Sequence, residues 1–169
     1  YLLNKMFRLG YTGIDQQLDS LRQVAKRHDD DRLRQYIRLI ELIPRRLAAK
    51  TTTQKAVLQR QLDSLAEQTP YADVKGFYYF NQGLTAFYAG QSPQSLPLLF
   101  RARKFLEEAQ YETYPFAPFY YKGFFDLYYY FEDYRTAAYY CRLSLKHPST
   151  GLYVHYGIYN NLGLCYLKL

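Results

Sequence analysis

Apolar residues recur along most of this chain at intervals of three and four positions, which is the spacing of one face of an α-helix. Stripes of this kind start near Leu18, Leu33 and Val57 in the first third of the chain. Each stripe predicts an amphipathic helix with one buried face. Aromatic clusters such as Tyr128–Phe131 lack the alternation with polar residues that a half-buried strand shows, so no strand is predicted.

Residues suited to helix ends lie between these stripes. Asp29 to Asp31 precede the second stripe and Thr51 to Thr53 precede the third. Short polar side chains of this type accept hydrogen bonds from the free N–H groups of a first helical turn. Pro44 lies within the second stripe, and its missing N–H is expected to end or kink that helix near Leu42.

From Tyr71 onward, the pattern predicts two helical hairpins followed by a single helix. Turn residues separate the helices, because Gly and Pro interrupt regular structure. The first hairpin has a helix that ends near Ala89, a turn at Gly90 and a second helix that begins near Ser92. The second hairpin runs from about Pro115 to His147, and the last helix from about Thr150 to Leu169.

Three glycines recur with a fixed period. Gly83, Gly123 and Gly163 are 40 residues apart, each in a frame of small and aromatic residues. A period between about 20 and 50 residues is typical of stacked supersecondary units. The chain is therefore interpreted as a repeat protein, in which each glycine permits close approach of the two helices of a hairpin.

The segments 159–166 and 133–140 resemble the first and second helices of a tetratricopeptide repeat. The resemblance covers residues 71–169, although the family's period is about 34 residues. It implies an all-α fold, a right-handed superhelix (solenoid) of helical hairpins. The implied organisation of this single solenoid comprises a basic front of degenerate helical repeats (1–70), two repeats (71–112 and 113–149) and the first helix of a further repeat (150–169).

The resemblance also implies a ligand-binding groove, since the first helices of successive hairpins line the concave face of such a solenoid. Aromatic rings and an Asn amide there would suit a peptide segment. The alternative is that these rings pack on one another or on a capping helix. The family's groove positions correspond to Phe77, Phe80, Leu84, Phe87, Tyr88, Tyr120, Phe124, Leu127, Tyr128, Asn160, Leu164 and Lys168.

Charge is concentrated at the front of the chain. Residues 1–60 hold 13 Lys and Arg against 6 Asp and Glu, whereas the remainder holds 9 of each. A basic face formed by Arg34, Arg38, Arg45 and Arg46 is a candidate for phosphate binding, and solvated helix surface is the alternative. Nucleic acid is not the favoured partner, because 28 of the 32 Tyr and Phe lie after residue 70, away from the cations.

Catalytic and metal-binding patterns are missing from the sequence. His28, His147 and His155 lie far apart, and no Gly-rich phosphate loop is present. We therefore expect no enzyme activity, no metal and no cofactor. Cys141 and Cys165 are too few for a disulfide framework, and such unpaired thiols favour the cytoplasm over the periplasm. No apolar run reaches the roughly 20 residues of a membrane helix, so no membrane contact is expected.

These observations predict a non-catalytic module that binds a protein or peptide segment. Its 40-residue repeat style is similar to that of bacterial sensor and regulatory proteins, which implies a role in signal transduction or transcription regulation. The alternatives are a nucleic-acid-binding helical repeat and an assembly scaffold that forms a homo-oligomer through the last helix. Since the sequence starts at Tyr1 and ends within a helical pattern at Leu169, the parent protein is expected to extend further.

Overall fold

The computed structural model describes the backbone of residues 15–148 and 152–169, and the side chains of residues 16–148 and 157–169. Within these ranges, regular structure is helical and no strand occurs. This confirms the prediction of an all-α chain. Residues 1–14 of the basic front and the predicted start of the last helix at Thr150 lie outside the described residues.

The described chain forms two compact units, one that ends at Ala109 and one that begins at Gln110. Unit 1 contains α1 (Asp15–Arg27), α2 (Asp31–Ala48), α3 (Thr52–Gln68), α4 (Ala72–Tyr88) and α5 (Ser92–Glu108), and unit 2 contains a 3-10 turn (Tyr111–Thr113), α6 (Ala117–Tyr130), α7 (Tyr134–Lys146) and α8 (Leu152–Lys168).

Two of the helices begin at the predicted caps. The Asp30 carboxylate accepts a hydrogen bond from the Leu33 N–H at 2.9 Å, at the start of α2. The Thr51 hydroxyl accepts one from the Gln54 N–H at 3.2 Å, at the start of α3. Each bond satisfies a donor that the helix itself leaves free.

Pro44 does not end α2. The helix continues through it to Ala48, so the predicted end near Leu42 is wrong. The proline ring removes one hydrogen bond from the helix, but Ile40 and Ile43 in the turn before it are buried. Burial of this apolar face outweighs the lost bond, because tertiary packing supplies most of the stability of helices in proteins.

The helices α4 and α5 pack closely in unit 1, and glycine permits the approach. A Cβ atom at Gly83 would lie only 2.6 Å from Leu99 Cγ of α5. One at Gly76, two turns earlier, would lie 2.7 Å from Leu106 Cδ2. The close approach predicted at Gly83 is therefore confirmed, and Gly76 extends it along the helix pair.

Unit 2 is held together by aromatic side chains. Tyr140 of α7 stacks on two rings of α6, with centroid distances of 5.2 Å to Phe124 and 5.6 Å to Tyr128. Tyr111 of the 3-10 turn meets the Tyr120 ring edge-on at 5.6 Å. Such ring pairs add stability beyond the area that they bury, so α6, α7 and the turn form one core.

The last helix, α8, packs on α7 and leaves another face uncovered. Ile158 and Cys165 are buried against the unit, 7 % and 0 % exposed. A Cβ atom at Gly163 would have no neighbour within 4 Å. No helix of the described chain approaches Gly163 as α5 approaches Gly83. Large apolar side chains exposed on α8 are Tyr159, Leu164, Tyr166 and Leu167.

Candidate functional site

A cleft of about 370 Å³ lies within unit 2, between α6, α7 and α8. Its volume falls at the lower end of the range of about 300–1,000 Å³ that is common for ligand sites. All three helices contribute to it, so the fold of unit 2 positions its walls. The lining residues are Pro118, Tyr121, Lys122, Phe125, Tyr140, Cys141, Ser144, Gly157, Ile158 and Asn161.

The walls of the unit 2 cleft are mainly apolar and aromatic. Tyr121 and Phe125 come from successive turns of α6, Tyr140 from α7 and Ile158 from α8. All four side chains are less than 9 % exposed, so packing holds them in place. An apolar group that enters such a preformed cleft gains burial without reordering its walls.

Polar groups at the cleft carry little net charge. The Lys122 ammonium lies 2.5 Å from both carboxylate oxygens of Asp126, one turn further along α6. The half-buried amide of Asn161 contributes both a donor and an acceptor. The arrangement suits a ligand with an apolar group and an adjacent neutral polar group, such as a side chain with its peptide backbone.

Burial also keeps the Tyr121 phenol and the Cys141 thiol of the cleft protonated. Desolvation raises the pKa of Tyr121 to about 12, and the nearby Glu112 carboxylate adds to the shift. Desolvation raises the pKa of Cys141 to about 12, with a further contribution from Cys165. At neutral pH, the cleft therefore presents a neutral hydroxyl and an unreactive thiol, because the thiolate is the nucleophilic form.

These pKa shifts predict a loss of stability at alkaline pH. Because the folded-state pKa values of Cys141 and Tyr121 exceed the ordinary ones, the unfolded chain releases protons that the folded chain retains. The stability that these two protonated groups contribute to the folded chain is fully present below about pH 9 and is lost as the pH rises towards 12. Urea unfolding should show a free energy lower by on the order of 1 kcal/mol at pH 10.5 than at pH 8.

The matched control for this pH dependence is Cys141→Ala, which should reduce the alkaline loss. Cys141 should also resist a disulfide reagent at pH 8 in the folded chain and react after unfolding. A free energy of unfolding that stays constant between the two pH values would contradict the assignment of these shifts to burial.

Half of the twelve predicted groove residues lie in the interior. The remaining six retain exposed surface: Phe87, Tyr128 and, more openly, Tyr88, Asn160, Leu164 and Lys168. The groove was predicted from residues of both units, and its assembly stays a prediction. The interior members are 8 % exposed or less and do not line the unit 2 cleft: Phe77, Phe80, Leu84, Tyr120, Phe124 and Leu127.

On α6, the cleft lies beside the predicted groove face. Tyr120, Phe124 and Leu127 form a stripe that packs into the core of unit 2. Tyr121 and Phe125, each one position later, line the cleft. One residue turns a helix by about 100°, so a small change of register moves the accessible surface to another face. Sequence reasoning missed this face, although its aromatic content was visible.

The four arginines of the predicted basic face differ in their ion pairs and in their exposure. Arg34 forms an ion pair with Asp29 at 3.0 Å and a longer one with Asp31. Arg46 is half-buried, whereas Arg38 and Arg45 are exposed. The four residues therefore do not form one uniform cationic surface.

The described part of the chain contains neither a metal-binding cluster nor a helix suited to a membrane span. No cluster of three or more His, Cys, Asp or Glu residues there is arranged to hold a metal ion. None of its helices combines the length and the apolar composition that crossing a bilayer requires.

Comparison with known proteins gives no relative from which a role could be transferred. No family model, no curated protein and no solved structure matches this chain. The tetratricopeptide resemblance therefore rests on the sequence motifs, and the function has to be argued from the residues of the chain.

Proposed function

We propose that this chain is a non-catalytic module that binds a protein or peptide segment, with an apolar side chain of the ligand seated in the unit 2 cleft. The observation that carries the proposal is the cleft itself, about 370 Å³ in volume and walled by buried rings. Asn161 at its edge offers the ligand's backbone a donor and an acceptor.

The chemistry of the cleft favours binding over catalysis. Its phenol and thiol are held in their protonated forms, and Lys122 is engaged with Asp126. Neither Tyr121 nor Cys141 is poised to titrate near neutral pH, as a general acid or base should be. A neutral, partly apolar segment can bind to these groups in the protonated and paired forms that they already have.

The parent protein is part of the same proposal. The 40-residue repeat style supports a tetratricopeptide-like solenoid and a sensing or interaction role in a bacterial signalling or transcription-regulatory protein. In that setting, binding energy would be transmitted through helix packing to an output domain.

Selection from a random peptide library on the full chain tests the binding role. We expect recovered peptides to share an apolar residue, to bind as one peptide per chain, and to lose at least about tenfold in affinity when that residue becomes Ala. Titration by fluorescence anisotropy gives the affinities. Absence of enrichment, or equal binding by peptides without an apolar residue, would remove the proposal.

An assembly scaffold is the second candidate, and the uncovered face of α8 favours it. Leu167 is 83 % exposed and Tyr166 is 55 % exposed, beside the open position at Gly163. Exposed apolar patches of this kind often mark protein interfaces. If α8 pairs with a second copy, sedimentation equilibrium should show a concentration-dependent mass that Leu167→Glu abolishes. A monomer at all concentrations would exclude this role.

A further inference from the structure

A groove runs between α2 and α3 in unit 1, apart from the cleft of unit 2. Two depressions lie along it, one of about 250 Å³ and an open one of about 590 Å³, and the lining residues of both fall on one face of each helix by their three-and-four spacing. The first is lined by Arg38, Arg60, Gln61, Ser64, Leu65 and Gln68, and the second by Arg45, Ala48, Ala49, Lys50, Thr53, Gln54, Val57 and Leu58.

Four cations line this α2–α3 groove, and its described lining contains no carboxylate. Arg38 and Arg45 are two helical turns apart on one face of α2, Arg60 belongs to α3, and Lys50 lies in the connection between the helices. All four are exposed. Repulsion among like charges without counter-charges raises the affinity of the groove for an anionic partner.

Other arginines of unit 1 are paired with carboxylates, which distinguishes them from the four cations of the groove. Arg22 is bonded to Asp19 and Glu41. The Arg32 guanidinium lies 2.5 Å from the buried carboxylate of Asp73. Among the described residues, the four groove cations make no such ion pair or hydrogen bond, so their donors are available to a ligand.

We propose that the α2–α3 groove binds an acidic protein segment that also carries aliphatic residues. Charge complementarity supplies the acidic part of this assignment. The aliphatic part follows from Val57 and Leu58, which lie beside the cations in the open depression. Single-stranded nucleic acid fits less well, because the described lining has no aromatic ring on which a base would stack.

The cations of this site differ in part from the basic face that was predicted from the sequence. Arg38 and Arg45 remain in it, and Lys50 and Arg60 join them. Arg34 is engaged with carboxylates, and Arg46 does not line the groove. The groove belongs to unit 1 and is independent of the unit 2 cleft, so either proposal can fail without the other.

Fluorescence anisotropy tests the proposal with a labelled peptide of repeated Glu-Glu-Leu units and the full chain at physiological ionic strength. The double charge reversal Arg38→Glu with Arg60→Glu is expected to lower the affinity by more than about tenfold. The control Lys26→Glu with Lys104→Glu makes the same change in net charge on exposed residues of α1 and α5, two helices that contribute no residue to the lining. It should stay within about twofold, because distant charges are screened beyond roughly 8 Å.

Circular dichroism shows whether each variant is folded, and Arg38→Gln with Arg60→Gln gives a second, milder test in which about a fivefold loss is expected. Failure of the wild-type chain to bind the peptide overturns the proposal, as does an equal loss in both charge-reversed variants. Tighter binding of a polythymidine oligonucleotide, lost in the same groove variant, would assign the groove to nucleic acid instead. A dimer that only the groove variant dissociates would assign it to self-association.

Discussion

Replacing Gly83 by Val should lower the free energy of unfolding by about 3 kcal/mol. The first added carbon would meet Leu99 Cγ at 2.6 Å and the Leu99 backbone nitrogen at 3.2 Å. Leu99 is fully buried, so neither its side chain nor its backbone has space to withdraw. The better helix propensity of Val offsets only a few tenths of a kcal/mol, and overpacking dominates.

Gly163→Val is the matched control, because Gly163 occupies the same position in its repeat, 80 residues further on. It has no atom within 4 Å of an added Cβ. We expect a change in the free energy of unfolding of less than about 0.5 kcal/mol. Urea unfolding followed by circular dichroism measures both variants. Equal destabilisation would show that the glycines are needed for a reason other than the approach of α5 to α4.

The second large effect is expected on binding, from Gly157→Phe. Gly157 lines the unit 2 cleft, and an added Cβ would meet no atom within 4 Å. A phenyl ring there would occupy the space proposed for the ligand's apolar side chain. Affinity for a library-selected peptide should fall at least about tenfold, with helicity unchanged, because a filled pocket loses most of the energy of a central contact.

Two controls separate blockage from other effects of this substitution. Gly157→Ala adds only a methyl group and should retain peptide binding. Gly163→Phe places the same ring on the same helix outside the cleft lining, so it should also retain binding. Loss of affinity in Gly163→Phe with full affinity in Gly157→Phe would move the ligand to the uncovered face of α8.

Local chemistry made much of the fold predictable from the sequence. The Asp30 and Thr51 caps, the turn at Gly90 and the hairpins after Tyr71 all follow from short-range preferences. The helix end predicted at Pro44 was wrong because the lost hydrogen bond is a local effect that the sequence shows. The burial that offsets it depends on partners distant in sequence. Gly76 was missed because it does not follow the 40-residue period.

The candidate site was less predictable, because access to a helix face depends on what packs against it. The aromatic content of α6 was evident, but nothing in its sequence distinguishes the stripe of Tyr120 and Phe124 from that of Tyr121 and Phe125. Tyr140 packs on Phe124, and Tyr111 packs on Tyr120, so the first stripe lies in the core of unit 2. Tyr121 and Phe125 of the second stripe line the cleft together with residues of α8. Likewise, Arg34 forms an ion pair with Asp29 whereas Arg38 forms none among the described residues, although both are exposed arginines on one helix.

Binding of a peptide segment in the unit 2 cleft is the core of the proposed function. A crystal structure of the full chain with a library-selected peptide tests it most directly. We expect density for an apolar side chain within about 4 Å of Tyr121, Phe125 and Ile158, with the peptide backbone in reach of Asn161. A peptide bound elsewhere, with the cleft empty or closed by side chains of the chain itself, would contradict it.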